Sequence, residues 1–243
     1  MRGRAAGKVS TWEDQAENWA RWARAPGDEY WVYRDAFFGT IVPPAGRLTL
    51  EVGSGEGRVA RDLVARGHQV VGVDTSPTLL RYAKAAGPGA CYLLADGAAL
   101  PFADGSVDLV VAYNSLMDVD DMPGTIREVF RVLGPGGRLC ACVTHPFADA
   151  GELVGEGPDA RFTLTRPYFG RHRFEGTGRR DGLTMTFCGW TYALEEYAMA
   201  LANVGMLVEL LREPRPAAAS ASNAAGSTFP MFLYIRALKP RGG

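Results

Sequence analysis

The sequence predicts an α/β fold in which a mostly parallel β-sheet is flanked by helices. Short apolar runs rich in Val and Leu recur along the chain, and stretches with helical periodicity separate them. Such alternation is typical of parallel sheets, because a parallel connection needs a crossover segment that is usually a helix. The runs form a single series within 243 residues, so we expect one core with additions rather than two domains.

The first apolar run leads into a glycine-rich turn in the segment Leu48–Arg58, LTLEVGSGEGR. Glycines at every second position leave one edge of the turn without Cβ atoms, so a ligand can lie against the backbone. The helix that follows points its unsatisfied N–H groups at the same place, and an acidic side chain at the strand tip faces the crevice. The residues that we expect at this ligand are Glu51, Gly53, Ser54, Gly55 and Gly57.

The glycine spacing distinguishes between ligand classes. A dinucleotide fingerprint G-x-G-x-x-G requires glycine where this chain has Arg58, and no G-K-[ST] follows to form a phosphate-binding P-loop, so a nicotinamide oxidoreductase is disfavoured. The pattern E-x-G-x-G-x-G resembles motif I of the class I S-adenosylmethionine-dependent methyltransferases. In that family the loop contacts the methionine half of a cofactor without phosphates. Glu51 is tolerated there, whereas it would repel a pyrophosphate.

The second run, Gln69–Asp74 (QVVGVD), ends in a carboxylate. Its β-branched residues predict a second parallel strand with Asp74 at the carboxyl tip. The resemblance implies that Asp74 accepts hydrogen bonds from both ribose hydroxyls and that Thr75 adds a contact beside the ribose. The segment Thr75–Pro77 predicts the cap and first turn of a helix through Ala86.

The third and fourth strands are predicted at Cys91–Ala95 and Val107–Tyr113, and the tripeptide Asp96-Gly97-Ala98 follows the third. The resemblance implies that this Asp accepts from the exocyclic amine of an adenine and that the following backbone contacts the ring. The fourth strand leads to Asn114, which we expect to contact the methionine moiety or to orient the substrate. Amino-methylating enzymes carry N-P-P-[YF] at this place, and the two prolines are missing here.

The remaining strands complete the series. A helix at Thr125–Leu133 and a strand at Gly137–Val143 flank a glycine-rich turn that matches the LKPGG region of the family. Two further strands are predicted at Met206–Leu211 and Phe229–Leu238, joined by a mobile Ala- and Ser-rich connection at Pro214–Ser227. In the family these last two strands form an antiparallel pair.

The ordered motifs cover about half of the chain and predict a Rossmann-like class I methyltransferase fold with a seven-stranded, mostly parallel sheet. We divide the chain into an N-terminal helical cap (residues 1–44), a cofactor-binding core (45–145), a substrate lid inserted after the fifth strand (146–190) and the C-terminal part of the core sheet (191–243). The resemblance implies S-adenosyl-L-methionine as the cofactor and S-adenosyl-L-homocysteine as its product.

The helical cap is predicted to contain two helices, the first beginning with a capping box at Ser10–Glu13 and the second spanning about residues 28–41. Tryptophans at positions 12, 19 and 22 form a stripe that we interpret as packing. Tyr30 and Tyr33 are candidate substrate contacts, because a tyrosine offers both an apolar face and a hydroxyl to a ligand beneath such a cap.

The segment Thr144–Gly189 interleaves aromatic residues with arginines. One interpretation is an exposed hairpin with solvated arginines, and another is a substrate lid that excludes water from the reaction. RNA binding is disfavoured, because the stretch is short and the formal net charge of the chain is −1. We favour the lid and expect Tyr168 and His172 to contact the substrate.

Two groups near the carboxyl ends of the strands are candidates for chemistry. His145 directly follows the fifth strand, so it is the candidate general base and a candidate substrate contact; the alternative is a histidine that holds a loop in place. The acidic cluster Asp118, Asp120 and Asp121 resembles a magnesium site, but acids that precede a helix are favoured by its dipole. We therefore expect no metal.

The composition bears on compartment and partners. No apolar run reaches the roughly 18–20 residues needed to cross a membrane, and the first ten residues lack the apolar core of a signal peptide. The four cysteines lack C-x-x-C spacing, which favours small core residues. We expect a cytoplasmic protein without nucleic-acid or membrane partners, and the sequence indicates no oligomeric state.

These features together predict methyl transfer to an O, N or C nucleophile of a small, aromatic or hydrophobic secondary metabolite. Displacement at a methyl group demands mainly alignment, which supplies on the order of 7–11 kcal/mol of barrier reduction, so a base is optional. Two alternatives stay open: a family member that binds the cofactor but catalyses a non-methylating reaction such as cyclisation, and a non-catalytic accessory subunit.

Overall fold

The computed structural model describes residues 11–25, 27–155, 161–216 and 229–241, with a seven-stranded sheet at the centre. The strands are β1 (Thr49–Val52), β2 (Val70–Asp74), β3 (Ala90–Leu94), β4 (Val107–Tyr113), β5 (Leu133–Thr144), β6 (Gly151–Val154), β7 (Arg161–Leu164), β8 (His172–Arg180), β9 (Leu183–Thr191), β10 (Leu207–Arg212) and β11 (Phe232–Leu238). The helices are α1 (Trp12–Trp22), α2 (Glu29–Thr40), α3 (Arg58–Ala65), α4 (Pro77–Ala85), α5 (Met122–Val132), α6 (Pro146–Asp149) and α7 (Leu194–Asn203). No helix in these ranges has the length and apolar character needed to cross a bilayer.

The strand order of the central sheet is β10-β11-β5-β4-β1-β2-β3. Neighbours from β3 to β5 run parallel, whereas β11 is antiparallel to both β5 and β10, which confirms the predicted mostly parallel sheet. The chain runs outward from β1 to β3 and then returns to β4 on the other side of β1. This reversal opens a crevice outside the carboxyl ends of β1 and β4, where open α/β sheets bind ligands.

The core has two parts, one on each face of the sheet. On one face, Ile126 of α5 and Tyr197 of α7 pack against the central strands. On the other face, Phe37 of α2 and Leu63 of α3 do the same. Because β4 is covered on both faces, its sequence is almost continuously apolar, as parallel strands usually are. The sheet is therefore a rigid platform for the loops at its carboxyl edge.

Three elements begin three or four residues from their predicted positions: α5, β5 and β11, which begins at Phe232 instead of Phe229. Helix α5 begins three residues before Thr125, because Asp121 accepts a hydrogen bond from the Gly124 N–H at 2.8 Å and Pro123 fits the first helical turn. Strand β5 begins at Leu133, since the glycine segment continues the strand through a register shift opposite β4.

Helix α1 is fastened to the amino end of α4. Its N-cap is Thr11, which forms the reciprocal capping box one residue later than predicted; Ser10 lies outside the described residues. Glu13 then accepts hydrogen bonds from the Ser76 hydroxyl and, at 2.7 Å, from the Thr78 hydroxyl. These contacts hold α1 across the carboxyl edge of the sheet.

The insertion after β5 contains the short helix α6 and two antiparallel hairpins, β6–β7 and β8–β9. Strand β9 packs on α1, where the Phe187 ring lies 6.4 Å from the Trp19 ring and 5.5 Å from the Trp22 ring. The insertion therefore covers the same edge of the sheet as α1. Of the predicted mobile connection Pro214–Ser227, residues 217–227 lie outside the described residues.

Candidate active site

The turn between β1 and α3 uses its glycines for two different reasons. Gly53, Gly55 and Gly57 have φ values of +73°, +53° and +85°, in the left-handed region. A Cβ at Gly53 would lie 2.4 Å from the Ser115 Cβ, and one at Gly57 would lie 2.5 Å from the Tyr92 hydroxyl. At Gly55 the nearest atom is an indole nitrogen at 3.4 Å, so this glycine is required by conformation and leaves its edge open to the cavity.

Asp74 at the tip of β2 ties two backbone segments together. One carboxylate oxygen accepts from the Gly55 N–H at 2.7 Å, and the other accepts from the Ser76 N–H at 2.8 Å. Burial raises the pKa of the Asp74 carboxyl, while these backbone donors act in the opposite direction. Asp74 and Thr75 both line the cavity, so the carboxylate is available to a ligand from within a fixed loop.

Glu51 is the most deeply buried acidic group of the site. Its side chain is 1% exposed, and its Oε2 atom has no hydrogen-bond partner within the described part of the chain. Burial raises its pKa well above the ordinary value, and the neighbouring Glu56 and Asp74 carboxylates raise it further. A buried carboxylate oxygen without a donor indicates a place where a polar ligand group completes the structure.

The carboxyl ends of β3 and β4 supply the next wall. Asp96 accepts a hydrogen bond from the Ala98 N–H at 2.8 Å, which forms a turn beside Gly97. Asn114 adopts a positive φ of 49°, and its Oδ1 accepts from the Cys142 thiol at 3.1 Å. Among the predicted cofactor contacts, all but two line the cavity: Gly57 and Ala98 shape the turns behind it.

These walls enclose one cavity of about 510 Å³ that extends from the glycine loop to the insertion. Its far side is aromatic and comes from α1 and the β8–β9 hairpin. The rings that line it are those of Trp12, Trp19, Trp22, Phe174, Phe187 and Trp190. The tryptophan stripe of α1 therefore both packs on the insertion and faces the cavity.

Tyr30 presents only its ring to this cavity. Its hydroxyl donates a hydrogen bond to Asp62, which does not line the cavity. The Arg58 guanidinium lies between two aromatic faces, 4.5 Å from the Tyr30 ring and 4.9 Å from the Trp19 ring, and pairs with Asp28 at 2.7 Å. Arg58 is thus a cavity residue that was not among the predicted site residues.

Three predicted substrate residues do not line the cavity. Tyr33 is buried in the core, 5.0 Å from the Phe232 ring, because it lies on the sheet-facing side of α2. The Tyr168 hydroxyl accepts from the Leu194 N–H at 3.3 Å, and the exposed His172 ring lies 2.8 Å from the Phe169 carbonyl. Both belong to the outer surface of the insertion.

His145 is also directed away from the cavity. Its Nδ1 accepts from the Phe147 N–H at 3.0 Å as the N-cap of α6, and its Nε2 lies 3.1 Å from a Glu213 carboxylate oxygen. With Nδ1 acting as an acceptor, the neutral ring donates to Glu213 through Nε2. Burial lowers the pKa of His145, while Glu213 raises it. The geometry fits the structural alternative, a histidine that holds the loop after β5.

The acidic residues of the loop after β4 have different roles. Asp121 caps α5, and Asp120 accepts from the Trp190 indole at 3.4 Å. Asp118 lines the cavity, together with Asp149, which ends α6. In the sequence, Asp149 could have been recognised only by its position five residues beyond β5. Asp118 could not be distinguished from the acidic residues that follow it. No group of three or more metal-ligating side chains is found in the described residues.

Comparisons with known proteins agree with this architecture. Residues 50–141 match the family model described as "Methyltransferase domain". An uncharacterized methyltransferase of Mycobacterium tuberculosis is 36% identical over 148 residues, covering 56% of this chain and 60% of the relative. A demethylmenaquinone methyltransferase of Beutenbergia cavernae is 32% identical over 126 residues, covering 51% of this chain and 52% of that protein. The chain thus spans about 60% or less of the length of these relatives.

The solved structures extend the match to the rest of the fold. An S-adenosylmethionine-dependent methyltransferase from Mesorhizobium loti shares 26% sequence identity and a TM-score of 0.70, over 87% of this chain and 98% of that chain. The segment that matches the family model contains the glycine loop, Asp74, Asp96 and Asn114. Residues 50–141 thus belong to the methyltransferase domain family, and the chain is similar in fold to S-adenosylmethionine-dependent methyltransferases.

Proposed function

We propose that this protein transfers the methyl group of S-adenosyl-L-methionine to an O, N or C nucleophile of a small aromatic or hydrophobic molecule. The observation that carries the proposal is the continuous cavity of about 510 Å³ between the glycine loop and the aromatic wall. Its volume lies within the range of about 300–1,000 Å³ that is usual for ligand sites. Cofactor and acceptor would share this one space.

The cofactor end fits a phosphate-free nucleoside with an amino-acid tail. Glu51 offers an unpaired buried oxygen to the ammonium group, and the bare edge at Gly53 and Gly55 leaves room for the aliphatic chain. Asp74 retains lone pairs for the ribose hydroxyls, and Asp96 would accept from the adenine amine. A phosphate would be repelled by these carboxylates. When bound, S-adenosylmethionine supplies an electrophilic methyl group on a positively charged sulfur.

The remaining lining residues would complete this end of the site. Ser54 has a buried hydroxyl without a partner in the described ranges, and Thr75, Gly97 and Asn114 lie around the same space. We assign them to further contacts with the cofactor. The Tyr30 ring and its cation–π partner Arg58 would form the apolar floor beside the methionine chain.

The protein would accelerate the reaction mainly by holding the nucleophile in line with the methyl group and by excluding water. The insertion, residues 146–190, would act as the substrate lid, because its Phe174, Phe187 and Trp190 form part of the aromatic wall of the cavity. A small acceptor fits this enclosed space better than a macromolecule does. Neither Tyr168 nor His172 is needed for this role.

Binding of the cofactor is tested first. Isothermal titration calorimetry with S-adenosylmethionine, S-adenosylhomocysteine and NADH, run in parallel, should give micromolar dissociation constants for the two sulfur ligands and no heat for NADH. The reverse pattern would return the glycine loop to the dinucleotide-binding class.

Turnover is tested with an acceptor panel and methyl-labelled S-adenosylmethionine. One relative is a demethylmenaquinone methyltransferase, so demethylmenaquinone is a first acceptor to include. Labelled product together with S-adenosylhomocysteine supports methyl transfer. Conversion of an acceptor without S-adenosylhomocysteine release would favour the non-methylating alternative, and activity only with an added partner protein would favour an accessory subunit.

A further inference from the structure

The cavity is strongly electronegative. Among the described residues that line it, Arg58 is the only basic side chain, and it is already paired with Asp28 at 2.7 Å. Acidic side chains occur along its whole length. A field of this sign attracts cations and repels anions, and it is stronger inside an enclosed site than in water. Anionic acceptors are therefore disfavoured.

Most of these acids have partners or a place at the cofactor. Glu56 pairs with Arg61 at 2.7 Å, and Asp120 accepts from the Trp190 indole and lies 3.8 Å from Arg173. Three more, Glu51, Asp74 and Asp96, are proposed cofactor contacts. Two acids remain: Asp118, which the Trp12 side chain stabilises by a hydrogen bond, and Asp149.

These two carboxyl groups interact electrostatically, and both lie five residues beyond the carboxyl ends of neighbouring parallel strands. Asp118 follows β4, Asp149 follows β5, and the β9 backbone closes over them: a Cβ at Gly189 would lie 2.5 Å from Asp118 Oδ1. No hydrogen bond from the described residues reaches the Asp149 carboxylate. The side chains that stand around the pair are Trp12, Asp74, Arg166, Arg173, Cys188 and Tyr197.

Burial governs the protonation of both groups. It raises the pKa of Asp149 to about 7, and Arg166 lowers it only in part. Burial also raises the pKa of Asp118 well above the ordinary value, and the Asp149 charge raises it further. The hydrogen bond with Trp12 and the charge of Arg173 lower the pKa only in part. Two such groups titrate as a pair that retains a proton near neutral pH.

An independent observation shows that the same cavity is built for polar ligand groups. Glu51 lines it, is 1% exposed, and carries an Oε2 atom without a hydrogen-bond partner in the described ranges. Arginines already lie over the Trp190 and Phe174 rings of the lid, at 3.5 and 5.4 Å. The Phe187 and Trp12 rings also line the cavity, and ring faces attract organic cations. Carboxylates beside aromatic faces are the combination that recognises an amine attached to an apolar group.

We propose that Asp118 and Asp149 bind the ammonium group of the methyl acceptor, and that the acceptor is an aromatic or apolar amine. The identification of this amine as the acceptor rests on the proposed function. A bound ammonium group favours the ionised form of both carboxyls, so its binding expels the proton that the free pair holds.

The test is calorimetry with tryptamine, tryptophol and indole-3-propionate, which share an indole and differ in charge. Each is titrated into protein saturated with S-adenosylhomocysteine, near neutral pH and in two buffers of different ionisation enthalpy, so that released protons are counted. Tryptamine should bind at least tenfold more tightly than the other two and release close to one proton. Equal or tighter binding of either other probe, or no binding of tryptamine at millimolar concentration, overturns the proposal.

Isosteric variants separate the pair from the general field of the cavity. Asp149→Asn and Asp118→Asn should each weaken tryptamine binding at least tenfold and abolish most of the proton release, while Asp120→Asn, the matched control, changes affinity less than threefold. Unchanged S-adenosylhomocysteine affinity shows that a variant is folded. Unchanged tryptamine binding in both pair variants would refute the assignment.

The two proposals fail in distinguishable ways. If the wild-type protein does not bind S-adenosylhomocysteine, the proposed function fails, and the probes are titrated into the free protein, where the charge preference still tests the pair. If the cofactor product binds and the amine preference is missing, only the amine site is refuted.

Discussion

Replacing Asp74 with alanine should separate cofactor binding from folding. The carboxylate holds the Gly55 and Ser76 N–H groups at 2.7 and 2.8 Å, and a ribose would add charge-assisted hydrogen bonds to the same oxygens. Such a bond contributes about 1.5–3 kcal/mol, so Asp74→Ala should weaken S-adenosylhomocysteine binding about 10- to 150-fold. The stability of the free protein should fall by only about 1 kcal/mol, because the variant also removes the cost of burying a charge.

Calorimetry measures the affinity, and urea unfolding measures the stability of the free protein. Asp121→Ala is the matched control: this carboxylate accepts from the Gly124 N–H at 2.8 Å and caps α5, but has no proposed cofactor contact. Its loss should lower stability by about 1 kcal/mol and leave the affinity unchanged. An Asp74→Ala protein that binds S-adenosylhomocysteine within twofold of the wild type would remove Asp74 from the ribose site.

Three further outcomes are expected. Gly55→Val should lose cofactor binding while remaining folded, because valine at a φ of +53° is strained by about 1–2 kcal/mol and its side chain enters the cavity; normal calorimetric affinity would contradict the glycine-loop argument. His145→Ala should lower the unfolding free energy by about 1 kcal/mol through loss of the α6 cap, with cofactor affinity unchanged. A large loss of turnover at unchanged stability would instead restore His145 as a base. The Asp149 carboxyl, with its pKa raised from 3.8 to about 7, binds more protons in the folded state than in the unfolded state between those values. Its contribution to stability is therefore present below about pH 4 and lost as the pH rises toward 7, and urea unfolding of Asp149→Asn should show a smaller pH dependence.

The features that were predictable from sequence are those set by local constraints. β-Branched runs predicted the parallel strands. Alternate glycines predicted the turn, because the positive φ and the close contacts at Gly53 and Gly57 strongly favour glycine. The positions of the residues at the strand tips, such as Asp74, could then be predicted from the ends of the strands. Their positions depend on the strand register, which the pattern fixes.

The features that were not predictable depend on how short segments turn. His145 and Asp149 stand at the two ends of one helical turn, and the direction of that turn sends the first toward Glu213 and the second into the cavity. Tyr30 and Tyr33 are three residues apart on α2, where a small rotation of the helix decides which one reaches the ligand. Neither the direction of the turn nor the rotation of the helix can be predicted from the composition or spacing of the residues.

The attachment of α1 has a consequence for how ligands enter and leave. Its Trp19 covers the open edge of Gly55, its Trp22 packs on Phe187 of the lid, and Glu13 fastens it to α4. One helix is therefore a shared wall for the cofactor end and the acceptor end of the cavity. We expect the helix and the β8–β9 hairpin to move together, so that exchange of one ligand also loosens the enclosure around the other.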